Sequence, residues 1–151
     1  MSDLLSVFVP GIPRPQGSMQ LFRARNGHEV AKYSDRTIEW RHLVTAAVRH
    51  ATAEQPPTRS AVVLHVVFHL PRSKGHFGTG RNAGVVRGSA PRWPASMPDL
   101  DKLIRAVGDG IGDAGTVWFD DAQVVEIRAR KVYAAAEPGA RIRVFELEGT
   151  S

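Results

Sequence analysis

Apolar residues in this sequence occur in short runs closed by proline and in longer stretches with helical spacing. The runs 4–9 and 61–70 are closed by Pro10 and Pro71, which predicts two β-strands. The second run is rich in β-branched residues and almost continuously apolar, so we expect a central strand that is covered on both faces. The segment 16–28 is polar and basic, and we expect a loop there.

Two helices are predicted from apolar residues spaced three and four positions apart. The first begins at a cap on Ser34 or Asp35 and ends at about Ala53, ahead of two prolines. Its apolar positions are Trp40, Leu43, Val44, Ala47 and Ala51. The second begins just after Pro98 and is ended by the glycines at 110, 112 and 115. Its apolar positions are Leu100, Leu103, Ile104, Val107 and Ile111.

Two further strands are predicted near the end of the chain. The segment 123–133 alternates, with Val125, Ile127 and Ala129 on one side, which is typical of a half-buried strand. The segment 141–147 follows a Pro-Gly turn, and two adjacent late strands favour an antiparallel hairpin.

The length of 151 residues predicts a single domain, 1–151, around one hydrophobic core. No apolar run approaches the ~20 residues that would cross a bilayer, so we expect no membrane partner. The sequence has no cysteine, which permits a reducing cytoplasmic location and leaves oxygen or imidazole to hold any metal ion.

Charge is unevenly distributed along the chain. Before Asp99 there are thirteen basic and five acidic residues, a balance of +8, whereas from Asp99 onward there are seven basic and ten acidic residues, a balance of −3. Basic surfaces attract phosphates, so we expect the first part to hold nucleic acid and the second to build an acidic centre. The alternative is that these charges serve solubility alone.

The segment 72–98 contains basic residues and glycines but no acidic residue, which predicts a long, mobile basic loop. Such a loop can follow a phosphate backbone, with Phe77 and Trp93 available for stacking on bases. A solvated loop without a partner is the alternative. The expected DNA contacts are Arg72, Lys74, Arg81, Arg87 and Arg92, together with Arg23 and Arg25.

Six aspartates lie between positions 99 and 121, whereas the rest of the chain has only two. Asp99 and Asp101 could simply cap the second helix and complement its dipole. That does not explain Asp120 and Asp121, because two adjacent like charges repel unless they are solvated or share a cation. Asp101 and Arg105 are one turn apart and lie on the same flank of the helix.

Three of these carboxylates, on Asp99, Asp101 and Asp121, could meet. A helix of about 12 residues is ~18 Å long. The nine-residue connection that leads to Asp121 is long enough to reach back over that distance. If the carboxylates converge, hard oxygen ligands select Mg²⁺ or Mn²⁺, the arrangement used for metal-assisted phosphodiester hydrolysis.

The segments 98–111 (PDLDKLIRAVGDGI) and 118–131 (WFDDAQVVEIRARK) resemble the RusA family of Holliday junction resolvases. The resemblance implies an α+β fold, with a mixed or antiparallel sheet of about four strands packed against two helices. It also implies Mg²⁺-dependent cleavage of four-way or branched DNA by a homodimer, in a bacterial host cell and often from a phage gene. A twofold dimer would supply two equivalent sites for the two cuts.

The resemblance assigns metal binding and catalysis to Asp99, Asp101 and Asp121. The lysine that the family carries one turn beyond the second aspartate aligns with Arg105, which keeps the charge but does not readily give up a proton. Lys102 lies ~100° round the helix from Asp101, and we expect it to contact DNA.

The sequence leaves two other functions open. Arginine in place of lysine at position 105 is compatible with a branched-DNA binding protein whose catalysis is impaired. An adaptor protein, whose acidic residues only solubilise a turn, would bind a junction no better than plain duplex, and its affinity would fall steeply with salt.

Overall fold

The computed structural model describes residues 2–148, and these fold into two α-helices and six β-strands. Four strands form one mixed sheet, and the other two form a separate hairpin. In chain order the elements are β1 (Ser2–Pro10), β2 (Gln20–Arg23), β3 (Glu29–Lys32), α1 (Asp35–Ala51), β4 (Val62–Leu70), α2 (Leu100–Ala114), β5 (Val124–Tyr133) and β6 (Gly139–Glu146). This is the α+β arrangement of two helices and a four-stranded sheet that was expected.

The four-stranded sheet has the order β1–β6–β4–β5. Strand β6 is antiparallel to both β1 and β4, whereas β5 is parallel to β4. The most apolar strand, β4, lies inside the sheet as predicted. The predicted hairpin between the last two strands is wrong, because β4 lies between them. Helix α2 lies in the crossover that joins the parallel strands β4 and β5.

The predicted loop at 16–28 is also wrong, since part of it belongs to the β2–β3 hairpin. Gln20–Arg23 pairs with Glu29–Lys32 in antiparallel register. In the connecting turn Gly27 has a φ of 83°, which glycine adopts without strain, and the backbone N–H of Ala24 donates to a carbonyl 2.8 Å away. Both strands are almost entirely exposed, so neither contains the apolar run by which a strand is usually recognised.

The core lies between the two helices and one face of the sheet. The helix residues buried there include Trp40, Val44 and Val48 of α1 and Leu103, Val107 and Ile111 of α2. The helices approach closely at Gly110, where a Cβ would lie 2.8 Å from Cγ1 of Val44. The Thr45 hydroxyl donates to the Gly110 carbonyl at 2.7 Å, which ties the helices together at this contact.

Both predicted helices are present, with small differences at their ends. The Ser34 side chain caps α1, which ends two residues before the predicted limit, and Leu43 of the predicted buried stripe is 49% exposed. Helix α2 continues past the first two predicted glycines and is ended by Gly115, which has a φ of 71°. Neither helix in the described part of the chain has the length and apolar character of a membrane span.

Strand β5 lies at the edge of the sheet and pairs with β4 only. Its first residues contain a bulge at Val125, opposite the step from Val62 to Val63. The side predicted to be buried is largely open, because Val125 is 60% and Ile127 is 47% exposed. Ile127 pairs with the buried Leu64 and so lies on the helix side of the sheet, but at this edge neither Ile127 nor Val125 is buried.

The segment between β4 and α2 has no strand and contains two short 3₁₀ turns, Lys74–His76 and Gly80–Asn82. A single bridge pairs Phe77 with Val86. The segment leads from the end of β4 to Asp99, so its last residues adjoin the first aspartate of the predicted site.

Candidate active site

Asp99 and Asp101 lie at the start of α2. Asp99 occupies the N-cap position, but its side chain makes no capping hydrogen bond. Its Oδ2 lies 3.3 Å from Nζ of Lys102, and both side chains are about half exposed. Asp101 is exposed in the first turn. Helix capping therefore does not account for the Asp99 side chain, and both carboxylates are open to a cation from solvent.

Arg105 is exposed one turn beyond Asp101, on the same face of α2. Its guanidinium forms no ion pair with another residue of the range 2–148. The next positions on this face are Gly108 and Gly112, which have no side chain. The first turns of this face of α2 thus present an exposed carboxylate and an exposed cation, to which a phosphate group has access.

A cleft of about 510 Å³ opens beside the start of α2. Its lining includes Asp99 and Lys102 together with Arg14 and Arg36. Basic side chains attract a phosphodiester, and a carboxylate among them can hold a divalent cation against it. The cleft therefore has the charge pattern of a site for a metal ion and a phosphate.

Gln16 fixes the start of α2 from the segment that follows β1, and the sequence analysis missed it. The residue is only 1% exposed. Its backbone N–H donates to the Lys102 carbonyl at 3.0 Å, and its side-chain amide donates to the carboxylate of Asp109. The only sequence signal for this role is its place in the proline-rich segment PRPQGS.

Asp120 has a structural role in the turn that precedes β5. Its Oδ1 accepts a hydrogen bond of 2.8 Å from the backbone N–H of Ala122. In return Oε1 of Gln123 accepts a bond of 2.9 Å from the backbone N–H of Asp120, which completes a capping box. Of the two adjacent aspartates, Asp121 is therefore the one whose carboxylate is not used to cap the turn.

Gln123 also ties this turn to the segment that precedes β4. Its Nε2 donates to the carbonyls of Thr58 and Ser60, each at 2.9 Å. The Thr58 hydroxyl donates to Glu146 at 2.6 Å, and hydrogen bonds from Thr58 and Ser60 lower the pKa of Glu146 below its usual value. These contacts hold the turn at the end of the sheet where β4 begins.

Asp121 consequently lies at the opposite end of α2 from the first two aspartates. Its Oδ1 accepts a hydrogen bond of 2.9 Å from Nε1 of Trp118 and would lie 3.0 Å from a Cβ on Gly112. Gly112 is three turns beyond Asp101, about 16 Å along the helix axis. Within residues 2–148, no three His, Asp or Glu side chains are grouped closely enough to hold a metal ion. The expected meeting of the three carboxylates does not occur within one chain.

Strand β5 runs back along α2, so its end returns to the start of the helix. Nζ of Lys131 donates to the carbonyls of Ser96 and Pro98, at 2.8 and 2.9 Å. Pro98 directly precedes Asp99. Lys131 thus anchors the chain beside the site, and the sequence analysis missed it because its partners lie more than thirty residues away.

The predicted DNA contacts are spread over the hairpin and the basic loop. Arg23 is on β2, and Arg25 follows it in the hairpin turn. Arg72 and Arg87 donate to backbone carbonyls at 2.7 and 2.6 Å, so these two also shape the loop. Among the predicted contacts in the loop, Lys74, Arg81 and Arg92 are exposed and make no such bond to another residue of 2–148.

The sheet face that points away from the helices carries four arginines, and the sequence analysis did not recognise them as one surface. Arg128 on β5 and Arg143 on β6 flank His65 on β4. Arg130 and Arg141 occupy the next row. Alternation within each strand was visible in the sequence, but only the strand order shows that these side chains are neighbours.

The chain matches the family model described as endodeoxyribonuclease RusA over residues 10–145, nearly its whole length. The chain belongs to the RusA endodeoxyribonuclease family. This membership confirms the resemblance seen in 98–111 and 118–131, and the observed fold is consistent with it. The family implies Holliday junction resolving activity on branched DNA, and its members generally depend on a divalent metal. A search of curated proteins finds no match.

Proposed function

We propose that the chain is a Mg²⁺-dependent endodeoxyribonuclease that resolves Holliday junctions and other branched DNA, with Mn²⁺ able to replace Mg²⁺. The observation that carries the proposal is the pair of carboxylates on Asp99 and Asp101 at the start of α2, with the exposed cation of Arg105 one turn beyond. Carboxylates beside a basic surface are what metal-assisted hydrolysis of a phosphodiester requires.

The side chains at the start of α2 fit a divalent cation. Mg²⁺ prefers oxygen ligands and is commonly held by one or two carboxylates together with substrate phosphates. Asp99 and Asp101 would supply these carboxylates, and we assign the third to Asp121. A bound divalent cation would polarise the phosphoryl group and lower the pKa of a water molecule.

Arg105 would stabilise negative charge on the scissile phosphate. Its guanidinium is exposed on the same face as Asp101. Arginine stays charged in proteins and can bridge two phosphate oxygens, so its role is electrostatic and does not include proton transfer. Lys102, which pairs with Asp99, would hold that carboxylate in place and contact the DNA backbone from the cleft.

The arms of the junction would lie against the basic parts of the chain. The proposed contacts are Arg23 and Arg25 of the hairpin with Arg72, Lys74, Arg81, Arg87 and Arg92 of the loop. Resolution of a four-way junction needs two cuts related by twofold symmetry, so we propose that the protein acts as a homodimer.

The substitution Asp101→Asn tests the proposal. It removes one ligand charge without changing the size of the side chain, so cleavage should fall by at least about 10²-fold while junction binding is retained. Cleavage is measured with a labelled synthetic junction in Mg²⁺, and binding is measured by mobility shift in the absence of metal.

The matched control is Asp113→Asn at the far end of α2. Asp113 forms an ion pair of 2.9 Å with Arg41 and is 54% exposed, so its loss should leave cleavage unchanged. An Asp101→Asn protein that cuts at the wild-type rate would remove this carboxylate from the mechanism. If the wild-type protein shifts the mobility of the junction but makes no nicks, a DNA-binding protein with impaired catalysis is favoured instead. That alternative rests on Arg105, which stands where the family carries lysine.

A further inference from the structure

We propose that a cavity beside the start of α2 holds one unpaired nucleobase of the junction, from a nucleotide next to the scissile phosphate. The inference rests on the proposed function, because it concerns the DNA strand that would lie in the cleft at Asp99. It names the part of that strand, other than its phosphates, that the chain recognises.

The cavity lies between the basic loop and the end of β5. Its volume is about 620 Å³, which is in the range of about 300–1,000 Å³ that is usual for small-molecule sites. His76 and Trp93 of the loop and Tyr133 of β5 line it. Among residues 2–148 the lining also includes six proline rings and no acidic side chain. The walls are therefore made mainly of apolar rings, which suit the flat face of an aromatic ligand.

Tyr133 forms a fixed wall of the cavity. The guanidinium carbon of Arg72 lies over its ring, 4.1 Å from the centroid, and the centroid of the His76 ring is 5.4 Å away in an edge-on contact. Arg72 also donates to the Pro91 carbonyl at 2.7 Å, so one side chain ties the end of β5 to the loop. The walls are thus ordered by contacts within the chain, and a ligand does not bear the cost of ordering them.

Trp93 supplies the exposed ring on which a base would stack. Its side chain is 51% exposed, whereas the following Pro94 is buried. The guanidinium carbon of Arg92 lies 5.6 Å from the centroid of a Trp93 ring, so a cation adjoins the stacking surface. Of the two aromatic residues that the sequence suggested for stacking, Trp93 lines the cavity, whereas Phe77 forms a bridge with Val86 inside the loop. Aromatic rings beside arginine are the usual platform for unpaired bases.

The cavity is continuous with the cleft beside Asp99. Four residues line both spaces: Arg14, Pro15, Met97 and Pro98. Lys131 holds this shared wall, because its Nζ donates to the carbonyls of Ser96 and Pro98 at 2.8 and 2.9 Å. A phosphate that is bound in the cleft therefore has its neighbouring base within reach of the cavity.

This position favours a nucleobase over other flat ligands. The apolar rings would contact the base, while Arg14, at the boundary between cavity and cleft, would contact the phosphate backbone on either side. Extrusion of a base costs least where its pairing and stacking are already disturbed, as they are at a branch point. A cavity of this kind would therefore favour branched DNA over plain duplex.

A double-mutant cycle between Trp93 and one base tests the proposal. A four-way junction with a fixed branch point is made with all its bases and, as a series, with a single abasic nucleotide at each position that flanks the exchange point. The affinity of the wild type and of Trp93→Ala for each junction is measured by mobility shift in a chelator. The cost of extruding the base is common to both proteins, so the cycle isolates the contact between Trp93 and the base.

Trp93→Ala should weaken binding of the complete junction by roughly five- to 150-fold, which is the contribution of one stacked base. It should change binding of one abasic junction in the series by less than about twofold, because the contact is already missing there. Trp93→Phe keeps a flat ring and should restore most of the affinity for the complete junction. An equal effect of Trp93→Ala on the complete junction and on every abasic junction, or no effect on any of them, would overturn the inference.

Phe22→Ala is the matched control. Phe22 is an aromatic residue of β2 that is 37% exposed and does not line the cavity. Its loss should change the affinities for complete and abasic junctions by the same factor. If Phe22→Ala instead gives the selective loss that is expected for Trp93→Ala, the base is bound at the hairpin and the assignment to the cavity is wrong.

The outcomes separate this inference from the proposed function, since binding is measured without metal and nicking with Mg²⁺ or Mn²⁺. If the wild type nicks the junction but Trp93→Ala shows no selective loss, the cavity does not hold a base and the nuclease assignment stands. If the selective loss is found but the wild type does not nick in either metal, the base site stands and the proposed function fails.

Discussion

The indole Nε1 of Trp118 donates a hydrogen bond of 2.9 Å to Oδ1 of Asp121. The same oxygen lies against Gly112, where a Cβ would come within 3.0 Å of it. Trp118 is only 2% exposed, so the carboxylate is held between a buried ring and the last turn of α2. Asp121 is thus oriented by the fold itself, before a cation or DNA binds.

Replacing Trp118 with phenylalanine keeps a buried ring and removes this hydrogen bond. A hydrogen bond to a charged group contributes about 1.5–3 kcal/mol. We expect the cleavage rate to fall roughly tenfold or more, since each 1.4 kcal/mol changes a rate about tenfold. Single-turnover cleavage of a labelled junction measures the effect.

The control is Trp40→Phe, because Nε1 of the buried Trp40 has no hydrogen-bond partner in the described part of the chain. Equal losses in both variants would show that the hydrogen bond is not the cause.

Arg105→Lys and Arg105→Gln separate charge from shape at the position one turn beyond Asp101. If Arg105 stabilises charge on the scissile phosphate, lysine should keep most of the cleavage rate, and glutamine should lower it roughly 10²-fold. Arg49→Gln removes an arginine from α1, where the side chain donates to the Asp113 carbonyl at 3.0 Å, and should leave the rate unchanged. A glutamine variant as fast as the wild type would exclude Arg105 from the active site.

The contact of α1 with α2 at Gly110 predicts opposite effects of two alanine substitutions. A Cβ at Gly110 would lie 2.8 Å from Cγ1 of the fully buried Val44, so Gly110→Ala should lower the free energy of unfolding by about 1–3 kcal/mol. A Cβ at Gly108 would meet nothing within 4 Å, so Gly108→Ala should raise it by about 0.5–1 kcal/mol. Urea denaturation measures both, and equal shifts would contradict the close approach of the helices.

Lys74 and Arg81 are expected to bind phosphates from the basic loop. Replacing both with glutamine should weaken junction binding and make the plot of log affinity against log salt shallower by about 0.9 for each phosphate that is no longer neutralised. The cleavage rate at saturating protein should not change, since neither residue lies at the start of α2. An unchanged salt dependence would exclude both residues from the interface.

The parts of the fold that depend on local pattern could be predicted from the sequence. Leu103, Val107 and Ile111 repeat at helical spacing, and they form the buried face of α2 as expected. The β2–β3 hairpin could not be predicted in the same way, because backbone pairing rather than burial holds its exposed strands. The edge position of β5 was also hidden, since the strand order places β4 between β5 and β6.

The candidate site, too, could be predicted from the sequence only as far as local pattern determines it. The aspartate cluster and the family resemblance proposed Asp99, Asp101 and Asp121 as the candidate site, and the length of the connection to Asp121 gave only the greatest distance over which it could reach back. The position of the turn that contains Asp121 depends on Gln123, whose side chain donates to carbonyls more than sixty residues earlier in the chain. No local sequence pattern reports such a contact. The sequence therefore suggested that the three carboxylates meet, whereas in residues 2–148 Asp121 lies apart from the other two.

Cleavage of a synthetic four-way junction by the wild-type protein, with Mg²⁺ and with a chelator, tests the central claim most directly. The account predicts paired nicks at symmetry-related positions when the divalent cation is present, none in the chelator, and none in a plain duplex of the same sequence. Binding without nicks at every Mg²⁺ or Mn²⁺ concentration, or equal cutting of junction and duplex, would contradict it.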